Sequence, residues 1–239
     1  MFTVALIGPD GAGKTTVARK LEHALGVPAK YIYMGVNWDA SDQLLPTTRL
    51  IQAIRRARGK TPAPGGPPPP LPTASHRRPL PRRALRSVWT ALALGNRLAE
   101  EWYRQLLAWS YVRRGVVVVF DRHFFSDYHA HDIAGNGARS FERRVHGFLL
   151  SRVYPKPTLV VYLDAPPELL LARKGEGTLE SLERRRRDYL ELAAETPHFV
   201  TVDASRGVDQ VVADVADAIN AFAASGARTR TQPATRQGP

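Results

Sequence analysis

A chain of 239 residues is long enough for one sizeable α/β domain and too short for two large independent ones, so its motifs are expected to share one core. The absence of cysteine excludes disulfides, a cysteine nucleophile and thiolate metal sites, and points to a reducing compartment. The formal net charge of +12 suggests nucleic acid at first, but ten Lys/Arg and no Asp or Glu fall between Arg49 and Arg86, and Arg228, Arg230 and Arg236 lie in the tail, so the remainder is about neutral.

The basic stretch lacks interleaved aromatics that could stack on bases, which argues against a DNA or RNA surface. Met1 to Ile7 is too short for a secretory h-region, and no window has the apolar length that spans a bilayer. A cytoplasmic protein with no membrane partner is the expectation.

In chain order, Thr3 to Ile7 is a short apolar run ending in glycine, and Thr15 to Leu25 carries Val17, Ala18, Leu21 and Leu25 at helical spacing, so strand, loop and helix are implied. Tyr31 to Met34 reads as a second strand. Gln43 to Arg58 has Leu44, Leu45, Ile51 and Ile54 on one side of a helix whose start Pro46 places near itself. Gly59 to Arg83 is rich in proline and arginine, lacks the backbone donors of helix or sheet, and reads as a flexible insertion. Ala84 to Arg114 forms one long helix, with a bend allowed at Gly95 and its tryptophans assigned to the core.

Val116 to Phe120 is an unbroken run of strand formers, the pattern of a strand covered on both faces. Ser140 to Val153 reads as a helix, Leu159 to Leu163 as another buried strand, Phe199 to Val202 as a last strand, and Asp209 to Ala223 as the final helix. Strands alternating with helices imply a parallel, doubly wound sheet. A single domain over residues 1–224 and a disordered basic tail over 225–239 complete the expected organisation.

Gly8-Pro-Asp-Gly-Ala-Gly-Lys-Thr15 matches G-x-x-x-x-G-K-[ST] between a predicted strand and a predicted helix, the context that makes this P-loop pattern specific. Phosphate chemistry requires a backbone that wraps a polyanion and aims several N–H groups at it; Gly11 and Gly13 permit that path and the following helix adds its dipole. The loop Gly8, Pro9, Asp10, Gly11, Ala12, Gly13, Lys14, Thr15 and Thr16 is the expected ATP site. Lys14 is expected at the β- and γ-phosphates and the Thr15 hydroxyl in the magnesium shell. Asp121-Arg122-His123 follows a buried strand at the end where parallel sheets place ligands. Asp121 there orders water on magnesium, and Arg122 binds a phosphoryl oxygen through two parallel hydrogen bonds.

The P-loop Gly-Pro-Asp-Gly-Ala-Gly-Lys-Thr-Thr, Asp121-Arg122-His123, and Tyr162-Leu-Asp-Ala-Pro-Pro-Glu168 followed by a basic segment together resemble the thymidylate kinases, over roughly residues 1 to 222 apart from the insertion. The resemblance implies a P-loop NTPase with a five-stranded parallel sheet flanked by helices, transfer of the ATP γ-phosphoryl group to a nucleoside monophosphate such as dTMP, and a homodimer built on the long helices. Members carry the catalytic arginine in the P-loop or in the lid. This P-loop has none, so the lid must supply it.

The lid candidate is Arg173 to Arg187, with Arg173, Lys174 and Arg184 to Arg187 around Gly175 and Gly177. Such a segment closes over a triphosphate, and Arg173 and Arg185 are its expected catalytic members; pairing of these arginines with Glu176, Glu180, Glu183 and Asp188 on a solvated helix is the plain alternative. The resemblance places Asp10 near the acceptor sugar. Arg97, one turn upstream of the family's acceptor-phosphate arginine, and Arg104 are the acceptor candidates beside Arg122. His129, His131 and Asp132 are spaced too loosely to read as a metal site.

Two other readings stay open. A P-loop kinase of a nucleoside, sugar or specialised metabolite would need Asp10, Asp121 or Asp127 as base. A nucleotide switch or nucleic-acid-stimulated ATPase is the third; no Asn-Lys-x-Asp element for reading guanine is present.

Overall fold

In the computed structural model the described residues are 1–35, 43–57, 80–123, 148–149, 152–175 and 177–231. The chain runs β1 (Thr3–Ile7), α1 (Lys14–Ala24), β2 (Ala29–Tyr33), α2 (Pro46–Ala57), α3 (Leu80–Arg113), β3 (Val117–Asp121), β4 (Leu159–Asp164), α4 (Pro167–Lys174), α5 (Leu179–Glu191), a 3-10 turn (Leu192–Glu195), β5 (Phe199–Asp203) and α6 (Val208–Thr231). The strands form one sheet in the order β2-β3-β1-β4-β5. Every pairing is parallel, with Leu6 opposite Asp121, Ile7 opposite Tyr162 and Leu163 opposite Val202. From β1 the chain leaves to one side for β2 and β3 and to the other for β4 and β5, so the strand order reverses beside β1, where such sheets open a crevice at their carboxyl ends.

Both faces of the sheet are covered, which is why the strands read as continuous apolar runs. Successive side chains alternate between the faces. Val4, Leu6, Val117, Val119, Val161 and Leu163 pack on the α1 and α6 side against Val17, Leu21, Val215 and Ile219. Ala5, Ile7, Ile32, Val118, Phe120 and Tyr162 pack on the other side against Ala108 of α3, with half-buried Trp102 at the margin. Trp102 meets Tyr154 at 5.0 Å between ring centroids, as expected of a core tryptophan. Asp121, two residues beyond Val119, therefore projects on the α1 side.

Two expectations are corrected. The long helix begins at Leu80 instead of Ala84, inside the proline-rich stretch, and runs through Gly95; Pro81 sits in its first turn, where the missing N–H has no helical partner to lose. The last helix runs on to Thr231, well into the expected disordered tail and through Gly226; Ala227, Arg228 and Arg230 are good helix formers and proline returns only at Pro233. The lid segment is a helical hairpin. Arg173 and Lys174 end α4, Gly175 turns the chain with φ 67°, and Thr178 caps α5 through a reciprocal pairing with Ser181. Of the helix expected over Ser140 to Val153, the end is described: Val153 donates to the Leu149 carbonyl at 2.8 Å. Most of the insertion and residues 129, 131 and 132 lie outside the described residues.

Candidate active site

The P-loop joins β1 to α1 under tight steric limits. A Cβ at Gly8 would lie 2.7 Å from the Leu163 carbonyl oxygen, and one at Gly11, where φ is +91°, would lie 2.8 Å from the Leu170 carbonyl oxygen. Any larger residue would push the loop off the end of β4 and off α4. Gly13 precedes α1 with φ 84° and gives it no side-chain cap, and the first turn contains no acid, so the leading N–H groups stay open to an anion. Lys14 is buried and folds back over the loop, donating to the Gly8 and Pro9 carbonyls at 2.7 Å each. Thr15 and Thr16 are exposed at the mouth of the helix.

Asp121 is wholly buried at the end of β3. Its Oδ2 accepts the Tyr31 hydroxyl at 3.1 Å, while Oδ1 has no hydrogen-bond partner among the described residues. Arg122 follows with φ 67°, a left-handed conformation that costs a non-glycine residue about 1–2 kcal/mol. That turn sends its guanidinium to Asp10, whose Oδ1 it meets at 2.7 Å.

Asp10 gathers the site's cations. Besides Arg122 it faces Arg185 of α5 at 3.0 Å, Lys174 of α4 at 3.8 Å and Lys14 at 3.9 Å. Burial by itself would raise its carboxyl, but Lys14, Arg122 and Lys174 outweigh that and hold it well below the usual carboxylate range. One carboxylate thus ties the P-loop, the end of β3 and the α4–α5 hairpin together. A cavity of about 190 Å³ lies between them, lined by Asp10, Gly177, Ser181, Leu182 and Arg185.

The arginines of the hairpin separate by helical rotation. Arg184 reaches back to Glu180 at 3.5 Å on the exposed side, the helix pairing anticipated as the plain alternative. Arg185 turns to Asp10. Arg186 forms a two-pronged pair with Asp164 at the end of β4, at 2.7 and 2.8 Å, and Tyr162 adds its hydroxyl to the same carboxylate at 3.0 Å. The Arg186 hydrogen bonds, with a further contribution from Tyr162, hold Asp164 below its ordinary range despite partial burial. Arg173 does not join this group: its guanidinium donates to the Ala204 and Ser205 carbonyls at 2.9 and 3.4 Å, clamping α4 to the turn after β5. The structure thus places Arg173, an expected catalytic member of the lid, on backbone carbonyls and away from Asp10.

Arg104 likewise differs from expectation. It is 1% exposed and donates to the Tyr33 and Gly35 carbonyls at 3.1 and 3.2 Å and to Glu100 of its own helix, so it braces the turn after β2 from beneath. That turn touches the site, since a Cβ on Gly35 would meet the Arg122 Cδ at 2.8 Å. The Arg97 side chain lies outside the described residues. His123 is buried, and burial lowers its pKa to about 4, with nearby Glu101 opposing the shift; it is a neutral packing group against Phe120.

Lys174, named within the lid candidate, was not singled out as catalytic, and neither Tyr31 nor the pairing of Arg186 with Asp164 was anticipated. Tyr31 carries no motif and reaches Asp121 through strand register, whereas Asp164 stands in the Tyr162-to-Glu168 stretch and meets Arg186 through helical rotation. No group of three or more His, Asp or Glu suited to hold a metal unaided occurs among the described residues. Magnesium does not require one, because it keeps waters and phosphate oxygens as ligands and takes one or two carboxylates from the protein. The unpartnered Asp121 Oδ1 and the Thr15 hydroxyl fit that demand.

The thymidylate kinase family profile matches residues 96–215, half of the chain. That segment begins inside α3 and ends inside α6, so the P-loop stands outside it on its own motif and geometry. A protein from Archaeoglobus fulgidus described as a probable thymidylate kinase is 34% identical over an alignment that covers 46% of this chain and 57% of that relative. The match thus spans little more than half the length of the curated relative, and it adds to the five-stranded parallel sheet, the P-loop and the Asp121-Arg122 strand end. The chain belongs to the thymidylate kinase family.

Proposed function

We propose that the chain transfers the γ-phosphoryl group of ATP to dTMP or a related nucleoside monophosphate. The observation that carries this reading is the convergence of Lys14, Arg122, Lys174 and Arg185 on a single carboxylate at the mouth of the P-loop. Four cations from separate elements directed at one small volume suit a polyphosphate flanked by an acceptor phosphate, and Asp10 holds their places meanwhile.

In this reading the P-loop amides and Lys14 hold the β- and γ-phosphates, Arg122 grips the acceptor phosphate, and Lys174 and Arg185 close over the transferring group. Thr15 and Asp121 would hold magnesium, which would supply charge neutralisation at the phosphates. An acceptor phosphate oxygen forms a bond to the γ-phosphorus as the bond to the β–γ bridging oxygen breaks, and ADP leaves. The attacking oxygen is already ionised near neutral pH, so alignment and charge neutralisation suffice. Asp10 would make a poor base for a hydroxyl acceptor, since the surrounding cations depress its affinity for a proton. That favours a monophosphate over a nucleoside or sugar.

No helix among the described residues is long and apolar enough to cross a membrane. A cytoplasmic setting and a homodimer on the long helices belong to the same reading. The test is ADP release with ATP and magnesium across dTMP, the other monophosphates and nucleosides. Preference for dTMP supports the proposal; activity on hydroxyl acceptors alone rejects it.

A further inference from the structure

Asp121 uses one carboxylate oxygen and leaves the other with no hydrogen-bond partner among the described residues, although the residue has no exposure at all. The occupied oxygen is held by Tyr31, one step back along the neighbouring strand. In register Tyr31 lies opposite Val119 and Tyr33 opposite Asp121, so the Tyr31 phenol leans forward along the α1 face to reach the end of β3. Tyr31 is itself fixed. Arg19 of α1 places its guanidinium carbon 5.6 Å from the Tyr31 ring centroid. The phenol donates to Asp121, and a cation over the ring holds the tyrosine in place.

We propose that Tyr31, held by Arg19, is the positioning residue that aims the free oxygen of Asp121 at the divalent cation accompanying the nucleotide. The inference rests on the kinase reading above and goes beyond it, because no motif marks Tyr31. Its geometry gives the reason for the role. Arg19 belongs to the same helix that begins with Lys14 and Thr15, so the ring contact and the Tyr31–Asp121 hydrogen bond tie the carboxylate to the frame that would hold the phosphates. A carboxylate free to rotate would present either oxygen at varying angles. One pinned through Oδ2 presents Oδ1 alone, and loss of a group that orients a metal ligand in this way typically weakens metal affinity about ten- to a hundredfold. A tyrosine that merely satisfied its own hydroxyl in the core would affect stability and leave the cation untouched.

The test is paramagnetic titration of Mn2+ into protein saturated with a nonhydrolysable ATP analogue, for wild type, Tyr31→Phe, Asp121→Asn and the double variant. Tyr31→Phe should weaken Mn2+ binding about tenfold while analogue binding without metal stays as in wild type. On the Asp121→Asn background the same change should have no further effect. Unchanged Mn2+ affinity in Tyr31→Phe, or an equal loss on both backgrounds, overturns the proposal. Arg19→Gln, altered at an exposed position, should weaken Mn2+ in the same direction by a few-fold, and serves if Tyr31→Phe is poorly folded; no change there also overturns it. Failure of the wild type to bind the analogue would instead reject the kinase reading itself.

Discussion

Replacing Arg185 and Arg186 by alanine, one at a time, should separate chemistry from stability at adjacent positions of α5. Arg186 makes a two-pronged, charge-assisted pair with Asp164 at 2.7 and 2.8 Å, and the two side chains are 34% and 20% exposed. Hydrogen bonds to charged groups contribute about 1.5–3 kcal/mol when buried, and solvent screening at this exposure brings the expected loss to about 1–2 kcal/mol. For a domain of this size that is a fall in Tm of about 3–6 °C. Turnover, measured well below the new Tm, should change only a few-fold. Arg185 is 55% exposed at 3.0 Å from Asp10, so its loss should cost under about 1 kcal/mol of stability. Its loss should lower kcat at least about a hundredfold, the scale on which a lone charge-stabilising donor acts. The assays are coupled ADP release with ATP, magnesium and dTMP, and scanning fluorimetry on the same preparations. The reverse pattern, with Arg186→Ala folded but inactive and Arg185→Ala active, would refute the assignment of the two faces of α5.

Asp10→Asn removes the charge that ties the P-loop, β3 and the α4–α5 hairpin together; in the nucleotide-free protein, amide exchange of residues 177–182 should accelerate about three- to tenfold by mass spectrometry, corresponding to about 1 kcal/mol. Gly11→Ala places a Cβ within 2.8 Å of a backbone carbonyl at φ +91°, so nucleotide binding measured by calorimetry should be lost while the circular dichroism of the sheet persists. His123 has a folded pKa of about 4 against an ordinary 6.5. The unfolded chain therefore takes up the proton first as pH falls, so the contribution is complete above pH 6.5 and drains away towards pH 4. Urea melts at pH 7.5 and 5 should differ by about 2 kcal/mol from this group, and His123→Leu should flatten the difference.

The sheet was legible because each central strand, Val117–Asp121 and Leu159–Asp164 above all, is buried on both faces and so spells an unbroken apolar run. The turn between β1 and α1 was legible because the Leu163 and Leu170 carbonyls leave room for glycine alone at Gly8 and Gly11. Helix ends were read less well. Prolines at 79 and 81 looked like breakers although Pro81 occupies a first turn, and the expected tail continued α6 to Thr231. The cation site was half legible: an arginine cluster was evident, but which arginine faces Asp10 depends on a rotation of about 100° per residue on α5 and on Asp164 ending β4 within reach of Arg186. The placement of Arg173 and Arg104 was not legible, because charge in a segment says nothing about whether backbone carbonyls, here those of Ala204, Ser205, Tyr33 and Gly35, hold it.

The most direct measurement is transfer of label from γ-labelled ATP to dTMP by the purified chain with magnesium, beside Lys14→Ala verified as folded. Labelled dTDP from the wild type, reduced at least about a thousandfold in Lys14→Ala, is the predicted result. Label that never reaches dTMP or any other monophosphate would contradict the monophosphate-kinase reading, and label that reaches it equally in the variant would contradict a phosphoryl-transfer centre built on this P-loop.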